Sequence, residues 1–180
     1  GGALYFNDGT SKNNEFKSVF NCSFVNCTAT SEDGKGYAIC GYSYEVNITL
    51  NEFKGFRSYS STASKETLSI VYIEMNEKEV TPTIDSLTFD DNNGVSGIVL
   101  NVQNKVTMNN LKFNNILGSP CINFDNWVVK DSVTIKNSLF TNIRDARCIY
   151  MRTKTATFKV YIQYCVFEHN SVYDDREEDA

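Results

Sequence analysis

Proline is almost missing from this chain: 2 residues in 180, alongside a single histidine, a single tryptophan and three methionines. No apolar run approaches the length of a membrane-crossing helix, so nothing in this segment is built to span a bilayer that way. One histidine, His169, argues against a multi-histidine metal centre and against a Ser-His-Asp site. Basic residues are outnumbered, 17 to 22, for a net charge of −5, and they are dispersed; that argues against a nucleic-acid surface. A starting methionine is also lacking. The chain opens on Gly1-Gly2-Ala3-Leu4, as expected of an internal fragment or a processed chain whose targeting signal lies elsewhere. What is present is ordinary for a globular protein: 41% hydrophobic and 22% charged residues, enough chain to bury a core. The exception is asparagine, at 21 residues.

An internal repeat organises the rest. Phe24, Phe53, Phe89, Phe113, Phe140 and Phe167 mark one register. Five residues before each stands Val19, Ile48, Ile84, Met108, Ile135 or Ile162. A second register reads ALYF (3–6), AICG (38–41), SIVY (69–72), GIVL (97–100), CINF (121–124) and CIYM (148–151). Its aliphatic residues, Ile70 among them, follow a small residue, and in five units a large apolar residue follows two positions later, Tyr72 among them. A period of two means strand, and the β-branched content of these runs agrees.

Polar residues punctuate the strands. Two residues after each Phe stand Asn26, Gly55, Asp91, Asn115, Asn142 and His169. Two after each earlier aliphatic stand Asn21, Leu50, Ser86, Asn110, Asn137 and Tyr164. Asparagine tolerates the left-handed conformation, so these columns predict sharp corners, with amides able to bond from coil to coil. The expected fold is all-β: a single-stranded, right-handed parallel β-helix solenoid of about six coils over 1–171, followed by an acidic tail or linker at 172–180. The step of 36 residues from Phe53 to Phe89 calls for bulges between Gly55 and Thr67 and between Met75 and Pro82.

The unit VTIKNSLFTNI…CIYM (133–151) resembles the repeat of the right-handed parallel β-helix superfamily, which includes pectate-lyase-like folds. More narrowly, Gly1-Gly2-Ala3-Leu4 resembles the GGA[ILV] motif of polymorphic membrane proteins, which are autotransporter adhesins. Phe89-Asp90-Asp91-Asn92 and Phe167-Glu168-His169-Asn170 are similar to their companion FxxN motif. The resemblance implies a surface or adhesion role outside the cell. It also raises the alternative of a polysaccharide lyase or hydrolase. The hydrolase strings NTD, GHG and RIK are absent, and Asp90-Asp91 stands in a corner column.

Few residues offer chemistry. Arg144, Asp145 and Arg147 lie together in a corner, and with Asp125 they form the best polar cluster for an enzyme; a solvated turn with one ion pair is the simpler reading. Asp125-Asn126 is expected to open a loop holding Trp127. His169 fills a ladder position. The cysteines show no zinc spacing, and neither a metal nor a cofactor is expected. Cys121 and Cys148 share a column on adjacent coils and Cys22 and Cys165 share one at opposite ends; buried thiols serving as small ladder residues are expected, with Cys27–Cys40 the best-placed pair if any bridge forms. Of three N-x-S/T sequons, Asn21 and Asn26 fall in corners that should engage their amides. Asn47 points outward from a strand and is the candidate glycosylation acceptor. The long polar segments 7–15, 28–36, 57–66 and 75–82 are candidates for recognition. The expected role is therefore a non-enzymatic module that binds protein or glycan through loops and strand faces. An architectural part in a larger assembly is a further alternative, with partners or further coils at the solenoid ends.

Overall fold

A computed structural model describes residues 2–7, 16–27, 35–42, 45–58, 68–75, 81–102, 105–127, 132–153 and 159–172. Its strands come in threes. The first coil holds β1 (Leu4–Asn7), β2 (Phe16–Phe20) and β3 (Ser23–Val25), and the second β4 (Ile39–Tyr42), β5 (Glu45–Thr49) and β6 (Glu52–Lys54). The third holds β7 (Ser69–Met75), β8 (Thr83–Asp85) and β9 (Thr88–Asn93), and the fourth β10 (Ser96–Val102), β11 (Val106–Asn109) and β12 (Lys112–Leu117). The fifth holds β13 (Ile122–Trp127), β14 (Ser132–Lys136) and β15 (Leu139–Arg144), and the sixth β16 (Ile149–Thr153), β17 (Lys159–Gln163) and β18 (Val166–Glu168). Every third strand pairs in parallel with the next, giving three six-stranded sheets: a right-handed β-solenoid of six coils. We call the sheets A (from β1), B (from β2) and C (from β3).

The predicted ladders are the core. The six phenylalanines pair coil to coil, with ring centroids 4.7–5.2 Å apart and ring planes within 15° of parallel. Val19, Ile48, Ile84, Met108, Ile135 and Ile162 pair likewise in sheet B. Strand separation sets the spacing, so offset aromatic stacking comes at no cost in geometry. The long step from Phe53 to Phe89 leaves those two residues in direct register. The bulges expected there fall largely outside the described residues, as does the tail from 173.

All twelve predicted corner residues have positive φ, from +52° to +74°. The first column turns the chain from B to C with two intervening residues in every coil, as from Phe20 to Ser23 or Asn109 to Lys112. The second column bends sheet C. A third left-handed column, Gly94, Gly118 and Asp145, leads from C back to A in the later coils.

A turned corner leaves the next backbone N–H without a strand partner, and buried asparagines supply one. Asn51 Oδ1 accepts from Cys22 N at 2.8 Å while its Nδ2 donates to Val19 O at 2.9 Å. Asn92 Oδ1 accepts from Phe56 N and Asn170 Oδ1 from Ile143 N, both at 2.9 Å. Ser138 Oγ accepts from Leu111 N at 3.1 Å. The fourth residue of each FxxN string is thus an interior cap for the coil before it. On the outside the amide ladder is partial. Asn110 Nδ2 donates to Ser86 Oγ and Asn115 Nδ2 to Asp91 Oδ1, both at 3.0 Å within their columns; Asn142 Nδ2 reaches diagonally to Asn114 Oδ1.

One register differs from expectation. In sheet A the ladder runs Leu4, Ile39, Val71, Ile98, Ile122 and Ile149, so the third coil contributes Val71 and Ile73, not Ile70 and Tyr72. A slip of one residue exchanges the two faces of a strand. It was invisible in sequence because β7 is buried on both faces and shows no alternation. Ile70 therefore stands in the column of small residues, opposite Gly97. A Cβ on Gly97 would lie 2.6 Å from both Cys121 O and Phe113 Cε1, which is why that place holds glycine.

Candidate functional site

The outer face of sheet A carries side chains that the core does not use. Register places Tyr5, Cys40, Tyr72, Val99, Asn123 and Tyr150 in one column, and Asn7, Tyr42, Glu74 and Asn101 in the next. Tyr5 and Tyr42 meet edge to face with centroids 6.1 Å apart, and Tyr42 and Tyr72 lie tilted at 5.7 Å. Tyr72 Oη donates to Glu74 Oε2 at 2.7 Å, and Lys35 Nζ sits 4.8 Å from the centre of the Tyr72 ring. Cys40, Tyr72 and Val99 form a small buried cluster outside the solenoid, whereas Tyr5 is 55% exposed and Tyr42 partly so.

Electrostatics keep the hydroxyls and the thiol of this strip protonated. Burial pushes the Tyr42 hydroxyl up to about 12, with Cys40 and Glu74 adding to the shift. Burial followed by the Glu74 carboxylate raises Tyr72 further. Burial also raises the Cys40 thiol, which keeps it protonated and a poor nucleophile. The strip offers aromatic faces and hydrogen-bonding edges, a combination suited to the apolar face and rim hydroxyls of a sugar ring.

Chain connections frame the same sheet. The B-to-C connection is always two residues, but those flanking sheet A vary. From A to B they run from two residues (Tyr42 to Glu45) to eight (Asn7 to Phe16). From C to A they run from two (Asn93 to Ser96) to fourteen (Lys54 to Ser69). Most of the four polar segments singled out in the sequence fall in these connections and outside the described residues.

The polar cluster suggested by sequence is not drawn together. Arg144 Nη2 donates to Asn115 Oδ1 at 3.1 Å, while the Arg147 guanidinium lies 5.4 Å from the centre of the Tyr150 ring. Asp145 is an exposed left-handed corner, φ +50°. No ion pair joins the three, so the expected turn lacks its salt bridge. Asp125 pairs in register with Arg152 across β13 and β16. Contrary to expectation, Asp125, Asn126 and Trp127 open no loop: β13 runs through Trp127, with a bulge between Asp125 and Trp127. Hydrogen bonding to β16 extends the strand where polar composition suggested a turn.

His169 is an exposed corner residue, φ +54°. Cys27 and Cys40 form no bridge, and all six cysteines are free. Cys27 lies at the second corner of the first coil, whereas Cys40 lies on the outer face of sheet A. Cys121 and Cys148 do share a column, and burial holds the Cys121 thiol well up. Asn47 is half-buried on the outer face of sheet B and its Oδ1 accepts from Thr83 N at 3.1 Å. Asn21 and Asn26 are exposed and make no side-chain hydrogen bond among the described residues, contrary to expectation.

A second polar surface was not singled out in sequence. On the outside of sheet C, Lys54 Nζ lies 3.5 Å from Asp90 Oδ2, and Asn114 Nδ2 donates to Asp90 Oδ1 at 2.8 Å. Beside this row Arg57 Nη2 pairs with Asp91 Oδ2 at 2.8 Å and its Nη1 also donates to Asp91 O. Lys54, Asp90 and Asn114 edge a shallow depression of about 410 Å³. Its carboxylates accept from neighbouring coils, which makes the row a seam. Among the described residues no group of His, Cys, Asp and Glu is gathered as for a metal ion. Compared with known proteins, the chain matches no family profile, no curated protein and no solved structure.

Proposed function

We propose that this β-solenoid is a non-enzymatic recognition module of the surface or adhesion type, which binds a glycan across the outer face of sheet A. The observation that carries this reading is the Tyr5–Tyr42 strip, lying on the sheet whose two bordering connections vary in length while the opposite edge stays constant. A rigid scaffold with one variable margin is the usual geometry of a recognition surface. Exposed tyrosine rings stack on sugar faces with little loss of side-chain entropy, and Asn7 and Glu74 flank them with hydrogen-bonding groups. An extracellular setting fits a glycan ligand and free sequons at Asn21 and Asn26.

The test is a glycan array followed by titration of the best ligand against Tyr5→Ala/Tyr42→Ala. The expected result is binding that the double substitution weakens at least ~10-fold, the loss of roughly one good aromatic contact. Unchanged affinity in the double variant would sink the reading. Cleavage of the bound glycan, lost on Arg147→Ala, would replace it with the enzymatic alternative.

A further inference from the structure

The tyrosine strip of sheet A holds a fixed negative charge. Glu74 stands directly beside Tyr42 in register. Of the four residues in its column, Asn7, Tyr42, Glu74 and Asn101, it alone is charged. Its Oε2 accepts from Tyr72 Oη at 2.7 Å, while its Oε1 has no hydrogen-bond partner among the described residues. Tyr72 thus holds the carboxylate in place and leaves one oxygen to spare. The same carboxylate is felt at Tyr42, where it adds to the upward shift of the hydroxyl.

The neighbouring Tyr72 ring shows what a carboxylate and a tyrosine hold between them. Lys35 Nζ sits 4.8 Å from the ring centre, and the ring's hydroxyl donates to Glu74. Ammonium, ring and carboxylate stand in a row. The quadrupole of the ring attracts the ammonium, and a carboxylate attracts it by charge. At Tyr42 the ring and the carboxylate are present, but no cation of the described residues lies over that ring. A ligand ammonium completes there what Lys35 completes at Tyr72. A neutral sugar brings hydroxyls to the spare oxygen without the attraction of opposite charge. A uronic acid sets carboxylate against carboxylate.

Given the glycan reading of the strip, on which this rests, we infer that the sugar bound at Tyr42 carries a free amino group, whose ammonium pairs with Glu74. The test titrates the chain with oligomers of glucosamine and of N-acetylglucosamine, equal in length and linkage, and with oligomers of galacturonic acid. A mildly acidic buffer keeps the amines protonated. The glucosamine oligomer should bind at least ~10-fold tighter than its acetylated twin, and the galacturonic acid oligomer weakest of the three. Glu74→Gln still accepts from Tyr72, and circular dichroism should show it folded. It should shrink the preference for the amine to about twofold or less, one unit of charge being lost. Tyr5→Ala/Tyr42→Ala should weaken both glucosamine forms. Equal binding of the two forms in the parent chain, lost in the tyrosine double variant, would overturn the inference and leave the strip a glycan site. A preference for the amine that survives Glu74→Gln would also overturn it, since the ammonium would then be held elsewhere. Binding of none of the three oligomers would overturn it outright.

Discussion

The fourth and sixth coils carry the same pattern and live in different surroundings. Val106, Met108 and Phe113 of the fourth are 0% exposed; Val160, Ile162 and Phe167, their counterparts two coils on, are 39–49% exposed. Strand order and left-handed corner conformation are alike in both, although the corners are Asn110 and Asn115 in the fourth and Tyr164 and His169 in the sixth. The difference lies wholly in what stacks beyond. The sixth coil does not bury its own core, whereas neighbours on both sides bury that of the fourth, so the stability of these coils lies in the interfaces between them more than in the coils.

The sharpest way to break that comparison is to remove the same ring in both places. Phe113→Ala, between two stacked rings, should cost about 3–5 kcal/mol. Phe167→Ala, with one face already open, should cost less than half as much in urea unfolding. Equal losses would mean that the open face of the sixth coil contributes as much as a buried one. Next in size are the interior caps. Asn51→Ala strands Cys22 N and Val19 O and should cost about 2 kcal/mol. Asn170→Ala, which frees Ile143 N and Phe140 O nearer the open end, should cost roughly half that, since water reaches them.

Corner strain offers a contrast that should vanish. Leu50 and Tyr164 occupy left-handed corners at φ +55° and +54°, in a column whose other left-handed residues are Asn21, Ser86, Asn110 and Asn137. Leu50→Asn and Tyr164→Asn should each stabilise by about 1 kcal/mol, because backbone strain is local and indifferent to which coil carries it. A gain at one site only would show that the column is tuned by its neighbours. The smallest effect is on the outer face. Tyr42 holds its proton more tightly when folded. Its contribution is complete below pH 10.0 and falls away as pH rises to about 12. Tyr42→Phe should flatten alkaline unfolding over that interval and leave neutral stability nearly unchanged.

Much of the architecture could be read from the chain because a solenoid writes each coil's geometry as a repeat. The Phe and Ile/Met columns and all twelve corners followed from spacing, since one inward residue and one left-handed residue recur at a fixed offset. Sheet A was harder. Its strands are buried on both faces in the third coil, so Ile70 and Val71 looked interchangeable, and only pairing chose between them. The interior caps were visible as letters, in FxxN and at Asn51, but their purpose depends on a backbone group from another coil. The surface strip was least legible. Tyr5, Tyr42 and Tyr72 are separated by tens of residues and by connections of unequal length, so no window of sequence holds them. Arg144 and Arg147 are close in sequence yet turn to different neighbours, Asn115 and Tyr150, and Asp145 between them is an exposed corner.

The Phe column has a further consequence for how such a protein changes over time. Sequence intervals between successive rings range from 24 to 36 residues, yet the rings stay 4.7–5.2 Å apart. Residues added beside sheet A therefore leave the rod's length untouched, while a whole added turn lengthens it by about 4.8 Å. Length and surface detail are inherited through separate events, and a lineage can revise one without renegotiating the other.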